Sequence, residues 1–250
     1  MSALLRTEGL TKRFGGLTAV DDVDFTLDEG ELRCIIGPNG AGKTTFFNLI
    51  SGGLHPTEGA VYLRDENIVG KPPRDVLELG LARSFQISQL FNGLTVMENL
   101  RLGLIGANRN RERSISFFLS ELDRDENLKE EAYRMAERVN LGEEADKRVD
   151  ALAHGKKRNL EIGIVLSSGA SVILLDEPAA GLTTGETGEI MELIQEIAED
   201  HSILLVEHDM DLVMSIAQTI SVLHNGRLLA EGTPEEIREN PTVREVYLGE

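Results

Sequence analysis

An α/β fold, in which an antiparallel β subdomain and an inserted helical subdomain accompany a parallel core, is predicted by three features of this 250-residue sequence. The first is "GPNGAGKTT", Gly37 to Thr45, which follows the apolar run "LRCII" and satisfies G-x-x-x-x-G-K-[ST] at Gly37, Gly42, Lys43 and Thr44. The second is the apolar run Val172 to Leu175 in "SVILLDEP", which delivers Asp176 and Glu177 at its end. The third is the stretch between them, roughly Thr95 to Asn140, helical in pattern, strongly charged and including "NRNRERS". Strand, loop and helix in that order form the setting a phosphate-binding loop requires.

The expected architecture is therefore a P-loop NTPase core, residues 1–87 and 157–250, with a helical subdomain at 88–156 inside a single domain. Taken in order, "LLRTEGLTKRFGG" and "VDDVDFTLDEGELRCIIG" alternate or run apolar between Gly and Asp, and "GAVYLRDENI" adds one strand. A helix opens behind the loop over Gly42 to Ile50. The late βα pattern runs through "SVILLDEP", a helix from about Glu186 to Glu199, "SILLVEHD" and a helix near Asp209 to Ala217. "TISVLHNGRLLAEG" reads as a hairpin turning at Asn225-Gly226. "TPEEIRENPTVREVYLGE" places Thr before Pro and Glu, so two short helices close the chain.

A chain of this length buries a core without disulfides, and its one cysteine, Cys34, lies inside an apolar run as a structural thiol. No leader pattern or uncharged run near the ~20 residues that cross a bilayer is present, so the expectation is a protein neither secreted nor membrane-spanning on its own. With 43 acidic against 25 basic residues the formal charge is -18, which argues against nucleic acid as a partner. Lysine is scarce, 7 against 18 arginines. The acidic excess suits a salt-rich cytoplasm or ordinary solubility, and the sequence leaves both open.

The loop chemistry follows from its residue types. Gly40 and Gly42 tolerate backbone conformations that turn successive N–H groups inward, and the helix behind them adds its positive end. Pro38, Asn39, Ala41 and Thr45 complete the cradle, Lys43 reaches the outer phosphates, and the Thr44 hydroxyl is placed for Mg²⁺. Asp176 stands at the carboxyl end of a buried strand, where open α/β sheets bind ligands, and is expected to hold Mg²⁺ through water while Glu177 polarises the attacking water. Gln86, His208 and Phe14 also sit at strand ends. Singly they read as an exposed amide, a loop histidine and a core aromatic.

Together, in this order, these residues make the chain resemble the nucleotide-binding subunit of ATP-binding-cassette transporters along essentially its whole length. The five-residue signature L-S-G-G-Q of that family is matched here by "LAHGK", Leu152, Ala153, His154, Gly155 and Lys156, of which only Leu152 and Gly155 agree. Ala153 has no hydroxyl for the γ-phosphate and Lys156 replaces an amide, so an altered signature working through backbone N–H groups is expected. "FGGLTAV", "SFQISQLFNGLTVMENL", "DEPAAGLTTGET" and "VREVYLGE" resemble an ATPase subunit of branched-chain amino-acid importers, with the urea and short-chain amide importer as the alternative. The resemblance implies a dimer with ATP sandwiched between the loop of one subunit and the signature of the other. It further implies Phe14 stacking on adenine, Gln86 sensing the γ-phosphate and touching Mg²⁺, His208 contacting that phosphate, and Ala180 to Thr183 facing the other subunit. Thr183 replaces the family's usual Asp.

The implied partners are two membrane permease subunits, a second ATPase subunit or identical copy, and indirectly a substrate-binding protein outside the membrane. A soluble ABC protein of repair or translation is a remote alternative, since this chain has one cassette, no sustained heptads and a charge of -18. A P-loop kinase would leave the signature-like segment without a purpose.

Overall fold

The computed structural model describes residues 3–84, 90–107 and 125–248. They fall into two compact units. The first comprises Met1–Arg83, Ser171–Pro178 and Ile194–Glu250, and the second Ser84–Ala170 and Ala179–Leu193. The helical unit is thus longer than the expected 88–156, because the helix at His154–Leu166 packs with the helices before it.

In the first unit, β1 (Ala3–Phe14), β2 (Leu17–Asp28), β4 (Glu58–Leu63) and β5 (Glu66–Asn67) form an antiparallel sheet in the order β2-β1-β4-β5. The single strand expected in "GAVYLRDENI" is instead a hairpin, because Arg64 and Asp65 take positive φ values of 50° and 66° and turn the chain. The second sheet runs β10-β9-β3-β8-β7-β6, using β3 (Leu32–Ile36), β6 (Leu81–Arg83), β7 (Val172–Asp176), β8 (Ser202–Val206), β9 (Thr219–His224) and β10 (Arg227–Gly232). All its pairings are parallel except β9 with β10.

The residue patterns explain these elements. All five residues of β7 and of β8 are buried, as expected for central parallel strands covered on both faces. In β2 the inward positions Val23, Phe25 and Leu27 alternate with outward ones. Asn225 and Gly226 have φ of 49° and 79°, the primed-turn geometry that a two-residue hairpin requires. Helix α1 (Lys43–Ile50) follows the loop and buries Phe46, Phe47, Leu49 and Ile50 in the core they share with Leu5, Leu27, Val61 and Leu174. The first unit also carries α2 (Pro73–Glu78).

Helices α3 (Val96–Ala107), α4 (Glu126–Arg138) and α5 (His154–Leu166) build the second unit. In α4, Leu128, Ala132 and Ala136 recur every four residues and are buried, while Asp125 caps its start by accepting the Leu128 N–H at 3.1 Å. Helix α6 (Thr184–Ala198) begins in this unit. The "NRNRERS" run lies outside the described residues. Helices α7 (Met210–Ile216), α8 (Pro234–Glu239) and α9 (Pro241–Leu248) complete the chain, with Thr233 and Glu236 forming a reciprocal capping box at α8. No helix among the described residues is long and apolar enough to cross a membrane.

Candidate nucleotide-binding site

The phosphate loop leaves β3 between β8 and β9, and its glycines are imposed by close approach. A Cβ on Gly37 would lie 2.3 Å from the Leu223 carbonyl oxygen, and one on Gly42, whose φ is 103°, would lie 2.4 Å from that of Ala19. Gly40 has φ of 81°, so both glycines read from the sequence as conformationally permissive occupy the left-handed region. The β9–β10 turn braces the loop: the Gly226 N–H donates to the Ala41 carbonyl at 2.9 Å, and Gly226 in turn accepts from the Asp21 N–H at 2.8 Å. Pro38 is half-buried, Asn39 exposed, Thr44 exposed in the first turn of α1, and Thr45 half-buried.

Lys43 is buried, and its ammonium donates to the carbonyls of Gly37 at 2.5 Å and Pro38 at 3.2 Å. Burial lowers its pKa, while the charges of Glu177 and Asp176 oppose that shift. The same electrostatic reach places the carboxylate pair beside the loop. Strand register accounts for it: Ile35 of β3 pairs with Val206 of β8, and Val206 with Asp176 of β7, so three carboxyl ends lie level.

Asp176 is buried and forms an ion pair with Arg83 at 3.0 Å. Glu177 is half-buried with φ of 46°, a left-handed conformation that a non-glycine residue adopts only under constraint, and its N–H donates to Val206 at 2.9 Å. His208 is exposed, its Nδ1 3.5 Å from the carboxylate of buried Glu207. Phe14 is 48% exposed at the end of β1 and so is not a core aromatic, with the Lys12 ammonium 5.2 Å from the centre of its ring. It pairs with Leu17 across the hairpin tip, two positions before the Ala19 carbonyl that abuts Gly42. Gln86 lies outside the described residues.

As cation ligands, the Thr44 hydroxyl and the Asp176 carboxylate are hard oxygen donors. Among the described residues no group of three His, Cys, Asp or Glu side chains is placed to hold a metal. One hydroxyl and one carboxylate are the kind of donors that suit Mg²⁺, which takes one or two protein ligands and completes its shell with water and phosphate oxygens.

The second unit holds the altered signature. Leu152 is buried, Ala153 is the N-cap of α5 without a side-chain cap, and His154, Gly155 and Lys156 open the helix. The Gly155 N–H donates to Glu186 Oε1 at 3.1 Å, so this backbone donor is already engaged. A Cβ on Gly155 would lie 3.0 Å from that oxygen, which gives the glycine a local reason. Lys156 turns away from the helix start, donating instead to the Asn140 carbonyl at 2.9 Å. Glu186 Oε2 also accepts from the Thr183 N–H at 3.0 Å and its hydroxyl at 2.7 Å, a contact in which Thr183 serves its own helix.

Three residues were missed in the sequence. Arg83 is an arginine ending a short apolar strand, Glu207 precedes the flagged His208, and Glu186 sits in Thr-x-x-Glu, a capping-box spacing that was legible. No spacing pointed to the first, whose partners are Asp176 on β7 and Asn48 and Ser51 at the end of α1; Glu207 pairs with its neighbour His208, and no motif of the sequence marked it.

Residues 20–180 match the family described as ABC transporter, and residues 227–250 that described as Branched-chain amino acid ATP-binding cassette transporter. The chain is 43% identical to the high-affinity branched-chain amino acid transport ATP-binding protein LivG of Salmonella typhimurium, over 99% of this chain and 98% of that protein. It is 42% identical to BraF of Pseudomonas aeruginosa, described in the same words, with the same coverage. Among solved structures, the ADP conformation of MJ1267, an ATP-binding cassette of an ABC transporter, aligns over 100% of both chains with a TM-score of 0.86 and 32% identity. With the loop, the paired carboxylates and full-length similarity in agreement, the chain belongs to the ABC transporter family, among the ATP-binding, ATP-hydrolysing subunits of the branched-chain amino-acid type.

Proposed function

We propose that this subunit binds MgATP between two ATPase subunits at the cytoplasmic face of a membrane and drives import of branched-chain amino acids through two permease subunits. A substrate-binding protein outside the membrane delivers the cargo. The observation that carries the catalytic reading is the level register of β3, β8 and β7, which sets the phosphate loop, Glu207-His208 and Asp176-Glu177 along one edge.

In this reading the loop N–H groups and Lys43 grip the phosphates, the ammonium exchanging its carbonyl partners for phosphate oxygens. Thr44, Asp176 through water, and Gln86 would hold Mg²⁺, which when bound would supply positive charge against the phosphate oxygens. Glu177 orients and polarises the attacking water, and Gln86 and His208 report the γ-phosphate. Phe14 stacks on the adenine. The signature of the other subunit, Leu152 to Lys156, closes on the phosphate, for which the Gly155 N–H has to leave Glu186.

The deciding experiment is Glu177→Gln, which keeps shape and hydrogen-bonding reach but removes the charge on the base. Hydrolysis falls by roughly 10²- to 10⁴-fold, and the protein, with its partner ATPase where the pair is heteromeric, accumulates as a dimer in MgATP but not ADP on size-exclusion chromatography. A wild-type rate would sink the catalytic assignment. In vesicles carrying the assembled importer, labelled leucine accumulates and labelled urea does not; the reverse would move the cargo to the short-chain amide class.

A further inference from the structure

Arg83 ends β6, where it is in register with Leu174 of β7, and its guanidinium is held from four sides. Nη2 donates to Asp176 Oδ2 at 3.0 Å, Nη1 donates to Asn48 Oδ1 at 2.5 Å and to Ser51 Oγ at 3.1 Å, and the group lies 4.9 Å from the centre of the Phe47 ring. Phe47 and Asn48 belong to α1, and Ser51 is its C-cap. One planar fork therefore ties β7, which carries Asp176, to the helix that opens with Lys43 and Thr44.

We propose that Arg83 is a positioning residue that sets the affinity of the site for its divalent cation. The proposal rests on the MgATP reading above. A cation held by one hydroxyl from α1 and one carboxylate from β7 depends on the spacing and orientation of two separate elements. Asp176 has a side chain only 4% exposed and Arg83 one 18% exposed, so solvent screens their pairing little. Arginine suits the place because its rigid fork serves the carboxylate and the helix at once; a lysine ammonium is a point charge on a flexible stem and cannot fix that angle. Outer partners that orient a metal ligand in this way commonly change metal affinity 10- to 100-fold when removed.

The test holds charge constant. In the Glu177→Gln protein, Mn²⁺ binding in the presence of ATP is titrated by electron paramagnetic resonance, with and without Arg83→Lys. The half-saturating Mn²⁺ concentration is expected to rise about tenfold, while ATP binding measured in chelator, which depends on Lys43 and the loop, stays the same. Asn48→Ala, which leaves the ion pair but frees the guanidinium from α1, shifts it in the same direction by less, and decides the matter if Arg83→Lys does not fold. An unchanged or lower half-saturation in the folded variants would overturn the proposal. Absence of ATP-dependent Mn²⁺ binding in the Glu177→Gln protein itself would instead overturn the MgATP reading.

Discussion

In Lys43, burial and charge pull in opposite directions: desolvation lowers its pKa, and the neighbouring Glu177 and Asp176 raise it. Backbone carbonyls at 2.5 and 3.2 Å keep its ammonium satisfied until an anion replaces them. Lys43→Ala is expected to weaken ATP binding by about 100-fold or more, since the triphosphate loses charge-assisted hydrogen bonds; tight binding by the folded variant in a calorimetric titration would refute the loop assignment. Glu177, the base of the proposed mechanism, sits in a costly backbone conformation. Its φ of 46° is disfavoured for any residue with a Cβ. Glu177→Gly should therefore be more stable to denaturant than Glu177→Ala by about 1 kcal/mol, although neither hydrolyses ATP at a useful rate. Equal stabilities would show that the backbone is unstrained there.

The two helix starts of the second unit, α5 and α6, share one carboxylate. Thr183, through its N–H and then its hydroxyl, and after it the Gly155 N–H hold the Glu186 carboxyl below its ordinary pKa. Because the folded value is depressed, the stabilisation is complete above the ordinary carboxylate range and is lost progressively as pH falls from that range through the lowered value, while the folded protein itself takes up the proton only at the lowered value. The amide resonance of Gly155 should accordingly stay fixed as pH drops through the ordinary range and move only below it. Movement centred within the ordinary range would contradict the contact. Lys156 faces Asn140, so Lys156→Gln should change hydrolysis less than about tenfold, the helix end and its backbone donors being untouched. A complete loss would mean that Lys156 swings to the phosphate. In the loop helix, Gly42→Ala combines a φ of 103° with a 2.4 Å approach to backbone, and loss of more than 1 kcal/mol of stability is expected on denaturant titration.

The whole chain carries a formal charge of -18, and its self-repulsion is screened over about 3 Å in molar salt but reaches about 30 Å at 0.01 M. Thermal unfolding should move upward by a few degrees from dilute buffer to molar KCl. A flat response would remove charge repulsion from the account and leave ordinary solubility as the explanation of the acidic composition. Phe91 is 59% exposed beside buried Leu90. Its N–H donates to Asn99 Oδ1 at 3.0 Å and its carbonyl accepts from Asn99 Nδ2 at 3.2 Å, so both backbone groups are satisfied while the ring faces outward.

The phosphate loop, the two carboxylates, the β9–β10 turn and the closing helices were legible because each is written in contiguous residues: glycines that avoid a Cβ clash, apolar runs that end in acids, and caps at fixed spacing. Arg83 was not, since its meaning lies in Asp176, 93 positions later, and in Asn48, 35 positions earlier. Nor was the engagement of Gly155, whose partner is 31 residues away. The altered signature could be read as altered, but where Lys156 points is settled by Asn140, which has its own positive φ of 57° and turns its carbonyl to the ammonium. Local chemistry depends on neighbours in the chain, and so it is encoded locally; which distant side chain satisfies a buried charge or a free N–H is decided by strand register and helix packing, which bring those groups within hydrogen-bonding distance only once the chain has folded.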